Sequence, residues 1–200
     1  GAVHGPHHVA EEWAAKYKGK FSDGWDAYQE RVFEHQKAMG WIPADTIRPP
    51  RPEGMPAWKD LSDKERAFQE RLMEVYAGFL EHTDVQVGKV IDELEARGFR
   101  ENTVVIYILS DNGASAEGMG GSVAELNAQN AIPTTVDEHI AVAEQLGGLE
   151  AIGGPKMDNM YHSAWAWAGD SPFRYTKLIA ADWGGTRTPM VISWPKRSKP

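Results

Sequence analysis

The 200 residues carry 29 acidic and 21 basic side chains, a formal net charge of −8, with 42% hydrophobic residues. That balance excludes a disordered chain, and it excludes a nonspecific binder of nucleic acid or of anionic membranes, which needs a basic face. Cysteine is absent and no run of about 18 apolar residues occurs, so disulfides, thiolate metal sites, a cysteine nucleophile and a bilayer span are all excluded within this stretch.

The chain opens with His4-Gly5-Pro6-His7-His8. Three histidines this close could ligate zinc, supply a proton donor near neutral pH, or form a solvated loop. Trp25, Tyr28, Val32 and Met39 then recur at helical spacing, and Gly40 supplies a stop. A proline-rich connector follows from Ile42 to Pro56 and cannot be regular helix. Ser62 and Glu65 match a capping box. Beyond it Leu72, Tyr76, Phe79, Thr83, Val87, Val90 and Leu94 share one stripe, which predicts a long amphipathic helix over roughly 63–97 that Gly98 terminates.

Thr103 to Leu109 is a continuous β-branched and apolar run, read as a strand buried on both faces. Ser110-Asp111-Asn112-Gly113 breaks it at its carboxyl end, where open α/β sheets bind ligands. Asp111 and Asn112 offer adjacent oxygen donors suited to a hard cation, and the same residues equally suit an Asx turn. The glycine-rich stretch 116–160 reads as an insertion near the site, with one short helix between the Thr135/Glu138 capping box and Gly147. Trp165 and Trp167 alternate with alanines and could wall a ring-bearing substrate or fill the core. Lys177 could bind an anion as a point charge or be a solvated surface lysine. A second strand is expected at Met190–Trp194, led in by Gly184-Gly185-Thr186-Arg187. Neither end has the polar, flexible character of a boundary, so 1–200 is expected to be one partial domain of a longer chain.

Taken in order, these segments resemble a type I sulfatase of the arylsulfatase group, in the alkaline-phosphatase-like superfamily. Ala2-Val3-His4-Gly5-Pro6 is similar to the family's A-P-H-x-P, with Val3 in place of proline. Glu74 to Gly88 resembles its long helix, and Glu101-Asn102-Thr103 the D/E-N-T before its strand. Ser110-Asp111-Asn112-Gly113 resembles its S-D-N-G, and Lys177 stands ahead of a segment like E-G-G-x-R-x-P, with Trp183 where the family has glutamate.

The resemblance implies an α/β sandwich with a mostly parallel central sheet flanked by helices. It implies hydrolysis of an aryl or saccharide sulfate ester by a periplasmic or secreted enzyme. Asp111 and Asn112 would be two ligands of one divalent cation, Ca²⁺ or alternatively Mg²⁺. His4 would contact the sulfate or its bridging oxygen, and Lys177 a sulfate oxygen. Apart from the resemblance, Trp165, Trp167 and Arg187 are the residues expected to contact the substrate. The family's formylglycine nucleophile comes from a C/S-x-P-x-R motif that nothing here matches, so this stretch alone is expected to be inactive. The alternatives are a phosphodiesterase or phosphonate monoester hydrolase of the same superfamily, and a noncatalytic carbohydrate-binding module stacking sugars on Trp165, Trp167 and Trp183.

Overall fold

The computed structural model describes residues 3–197; Ala2 of the opening motif lies outside the described residues. Helix α1 (Glu11–Ala15) leads to α2 (Gly24–Ala38), which ends before Gly40 as the spacing predicts. The proline-rich connector crosses without regular helix, and its Pro56 carbonyl accepts from the indole N–H of Trp25 at 3.2 Å.

Helix α3 (Asp63–Ala96) is the spine of the molecule. At its start the Ser62 hydroxyl accepts from the Glu65 amide at 3.2 Å while the Glu65 carboxylate accepts from the Ser62 amide at 2.8 Å. Two otherwise orphaned donors are thereby satisfied. Its first half is buried through Phe68, Leu72 and Val75. The buried Arg71–Glu74 pair (3.4 Å) ties it to neighbouring backbone: Arg71 donates to the Leu149 carbonyl at 3.2 Å, and Glu74 accepts from the Gly19 amide at 2.7 Å. Gly78 lets α1 lie directly on the helix, because a Cβ there would sit 2.7 Å from the Ala14 nitrogen. In the second half of α3 the expected stripe is only partly covered, with Val87 and Leu94 half-buried and Val90 exposed.

Strand β1 (Val105–Ile108) follows, then the turn at 110–113. Helices α4 (Glu125–Gln129) and α5 (Val136–Leu146) lie within 116–160, and Thr135 and Glu138 form the expected capping box. This stretch is stitched shut where Ser122 and Met160 exchange backbone bonds of 3.0 and 2.9 Å. It also contributes Val123, Ile140, Ile152 and Met157 to the core.

The Ala/Trp alternation lies on helix α6 (Ser163–Gly169). Period-two alternation normally signals a half-exposed strand, but a helix buried on every side places no constraint on phase. Ala164, Trp165, Ala166, Trp167 and Ala168 are all buried, with Trp165 only 1% exposed. Trp165 meets Phe21, Trp25, Tyr28 and Trp58 ring to ring, mostly edge to face at 5.6–6.0 Å, an arrangement that the ring quadrupoles favour.

Helix α7 (Trp183–Thr186), a single turn, forms most of the lead-in to β2 (Met190–Ser193). The two strands pair antiparallel, with Ile106 opposite Ile192 and Ile108 opposite Met190. A mostly parallel central sheet is therefore not what the described residues form; they form a two-stranded ribbon. Burial on both faces is corrected as well, since Ile106 and Ile192 are each 56% exposed. A strand is buried on both faces only when strands and helices surround it, and among the described residues nothing covers these two.

Candidate active site

The backbone of the 110–114 turn is built around close contacts. Ser110 adopts a left-handed conformation (φ 78°), a strained state that persists only where the surroundings enforce it. Gly113 is enforced sterically: a Cβ there would lie 1.5 Å from the Gly184 carbonyl oxygen. Gly184 in turn would bring a Cβ to 2.2 Å from the Tyr175 carbonyl. Hydrogen bonds lock the same crossing, from the Gly113 amide to the Gly185 carbonyl at 3.2 Å and from the Lys177 amide to the Ala114 carbonyl at 3.0 Å. The stretch 113–185 is thus closed into one backbone junction beside the ribbon's end.

Asp170 completes the clamp, accepting from the Ala114 amide through both carboxylate oxygens at 3.1 and 3.2 Å. Burial pushes its carboxyl up to about 7, and the Ala114 amide pulls the other way.

On this junction three side chains meet. Nζ of Lys177 lies 3.0 Å from Oε2 of Glu117 and 3.2 Å from Nε2 of His4. The same Glu117 oxygen is 3.3 Å from His4 Nε2 and accepts from the Ser115 hydroxyl at 2.7 Å. The two residues expected to contact sulfate, 173 positions apart in sequence, are therefore neighbours. Nδ1 of His4 sits 2.9 Å from the Gly5 carbonyl. A carbonyl can only accept, which assigns a hydrogen to Nδ1 and leaves Nε2 as the atom that gains or loses a proton. Lys177 engages two of its three N–H donors with Glu117 and His4, leaving one for an anion.

Asp111 is exposed and Asn112 half-buried, and neither side chain makes a hydrogen bond or ion pair among the described residues. Two uncommitted oxygen donors on a rigid turn fit a hard divalent cation, which takes six or more oxygens. The set is partial, since among the described residues no three His, Asp or Glu side chains converge. That also removes zinc from the opening histidines. His7 is buried among Tyr76, Phe79 and Tyr161, and burial, with His4 and His8 adding, lowers its pKa to about 3. His8 turns away, donating from Nε2 to the Met157 carbonyl at 2.7 Å.

The expected substrate wall is not a wall. Trp165 and Trp167 are interior, and the Trp165 indole donates to the Gln69 carbonyl at 3.2 Å. Of the tryptophans that a sugar-stacking surface would use, only Trp183 is exposed, and the Arg187 guanidinium covers its ring at 4.4 Å. Arg187 also approaches Phe173 at 5.7 Å, so it is held on an aromatic face. Sequence reasoning missed Glu117 and Asp170. Glu117 sits in a glycine-rich polar stretch that reads as solvated loop, and Asp170 precedes a Ser-Pro turn; neither position carries a periodic or spacing signal.

The sulfatase family profile matches residues 1–200. A protein of Schizosaccharomyces pombe described as an uncharacterized sulfatase is 36% identical over 200 residues, which is all of this chain and 34% of that protein. An arylsulfatase of Klebsiella aerogenes is 31% identical over 115 residues, 57% of this chain and 24% of that protein. The chain thus spans about a third of the length of the first relative and less of the second.

Proposed function

Because this chain belongs to the sulfatase family, we propose that its His4–Lys177–Glu117 junction and its Asp111-Asn112 turn are one part of a site that hydrolyses sulfate esters. The observation that carries the reading is the meeting of Lys177 Nζ, His4 Nε2 and Glu117 Oε2 within 3.3 Å. Hydrolysis breaks an ester bond to sulfur and leaves negative charge on the departing alcohol or phenol oxygen, which donors and a proton must meet. The third donor of Lys177 binds a sulfate oxygen. His4 takes its second proton on Nε2 and delivers it to the leaving oxygen, while Nδ1–H stays anchored on the Gly5 carbonyl.

Asp111 and Asn112 would hold a divalent cation, Ca²⁺ or alternatively Mg²⁺, which when bound supplies charge stabilisation to the sulfate oxygens. The formylglycine nucleophile belongs, in this reading, to a part of the longer protein outside this chain. Aryl and saccharide sulfates are the substrate classes proposed, the former supported by likeness to the K. aerogenes arylsulfatase.

The test is turnover of 4-nitrophenyl sulfate by the full-length protein and by its Lys177→Met variant. Removing one preorganised donor is expected to lower kcat on the order of 100-fold or more. Turnover of phosphate diesters or phosphonate monoesters with none of the sulfate would replace this reading with the related hydrolase, and an unaffected variant would remove Lys177 from it.

A further inference from the structure

The candidate site contains one group whose charge is wrong for the task. A sulfate ester is an anion, and a carboxylate beside it costs binding unless that carboxylate does something else. Glu117 is not a stray side chain: it is pinned from both directions. Its Oε2 accepts from the Ser115 hydroxyl at 2.7 Å, and its own amide donates to the Ser115 oxygen at 3.3 Å. The next residue, Gly118, is buried so tightly that a Cβ would lie 2.1 Å from the Tyr161 carbonyl oxygen, so the loop cannot settle further inward.

With its position fixed, its partners define its role. Lys177 Nζ and His4 Nε2 lie 3.2 Å apart, a hydrogen bond while the imidazole is neutral and a strongly repulsive contact once His4 takes its second proton. The Oε2 atom is the shared point that makes this approach favourable, 3.0 Å from one and 3.3 Å from the other. We infer that Glu117 is a positioning residue: through Oε2 it holds the Lys177 ammonium and the His4 imidazole together, so that both face one tetrahedral oxyanion. The carboxyl stays ionised to do this. Burial opposes its ionisation, but the Ser115 hydroxyl, Lys177 and His4 outweigh burial and hold it below the ordinary carboxylate range. Two donors, the Ser115 hydroxyl and the Lys177 ammonium, converge on this oxygen atom, and His4 Nε2–H joins them once His4 takes its second proton; Glu117 is thus a scaffold and proton delivery is left to His4.

The inference rests on the sulfate-ester reading only for its kinetic consequence. Glu117→Gln keeps the shape and removes the charge. In the full-length protein acting on 4-nitrophenyl sulfate, kcat is expected to fall about 10- to 100-fold, as misplacement of reacting groups by about 1 Å does. KM should stay unchanged or fall, because a negative charge near the anion is gone. A loop that merely collapsed would instead raise KM and lower Tm. The Glu117→Gln/Lys177→Met double variant should lose no more than about 3-fold beyond Lys177→Met alone, as residues acting as one unit do.

A crystal structure of Glu117→Gln supplies a readout independent of turnover, with the Nζ–Nε2 separation expected to open well beyond 3.2 Å. Full kcat in Glu117→Gln, or losses that multiply in the double variant, overturn the inference while the sulfatase reading stands. A wild-type protein that turns over no sulfate ester overturns that reading, and an unchanged Nζ–Nε2 pair in the variant crystal still overturns the positioning role.

Discussion

The two halves of α3 carry the same kind of apolar stripe, yet only the first is fully buried, while Val87 and Leu94 of the second are half-buried. Phe68, Leu72 and Val75 lie in an aromatic core with Trp25, Trp58 and Trp165, whereas Val85 and Val90 face solvent, as do Ile106 and Ile192 of the β1–β2 ribbon. Periodicity records which face of an element is apolar; it does not record whether the covering surface lies in the same stretch of chain. The site sits at the junction of the two regions. Asp111 and Asn112 extend from the ribbon's end, while Glu117 and Lys177 are held through the packed 113–185 crossing.

Trp165→Ala should break the covered region hardest. Removing a 1%-exposed indole that touches four rings is expected to cost about 3–5 kcal/mol, read as a fall in the urea midpoint of the full-length protein. A cost under 1 kcal/mol would show that this core is not the stabilising one.

Acid should also act on the covered region. Burial lowers the pKa of His7 to about 3 and that of His162 to about 4, from an ordinary 6.5. Unfolding frees both rings to take up protons, so their contribution is whole above pH 6.5 and is lost as pH falls toward 4 and 3. His162 needs its lone pair, since Nδ1 accepts from the Ala164 amide at 2.9 Å to cap α6. The loss between pH 7 and 5 is expected to be on the order of 2 kcal/mol for each ring. Asp170 acts in the opposite sense: its pKa is raised from 3.8 to about 7, so its contribution is whole below 3.8 and fades as pH rises through 7. His7→Phe should flatten the acid limb measured by denaturation at several pH values.

Ile106→Ser should do least to this chain, under about 0.5 kcal/mol, because the side chain is already largely in water. The same substitution sharpens the comparison in the longer protein. A cost above 1 kcal/mol there would mean that residues outside this chain cover the ribbon.

The helix boundaries were legible because capping boxes are local: Ser62 with Glu65 and Thr135 with Glu138 act within one turn. The turn at 110–113 was legible for the same reason. Helix α6 was not, because a helix buried on all sides shows no helical period, and its two tryptophans imitate alternation. Glu117 was illegible from spacing because its partners lie 60 and 113 positions away, Lys177 brought near by the Gly113–Gly184 crossing and His4 by the docking of the opening segment through the His7 amide on the Asn159 carbonyl.

The central claim is that Lys177, His4 and the Asp111-Asn112 turn face one tetrahedral anion. Its most direct test is a crystal structure of the full-length protein with Ca²⁺ and selenate, whose selenium can be located by anomalous scattering. The account predicts a selenate oxygen in hydrogen-bond reach of Lys177 Nζ and His4 Nε2, with the cation on Asp111 and Asn112. Selenate bound elsewhere while those groups remain paired only with one another would contradict it.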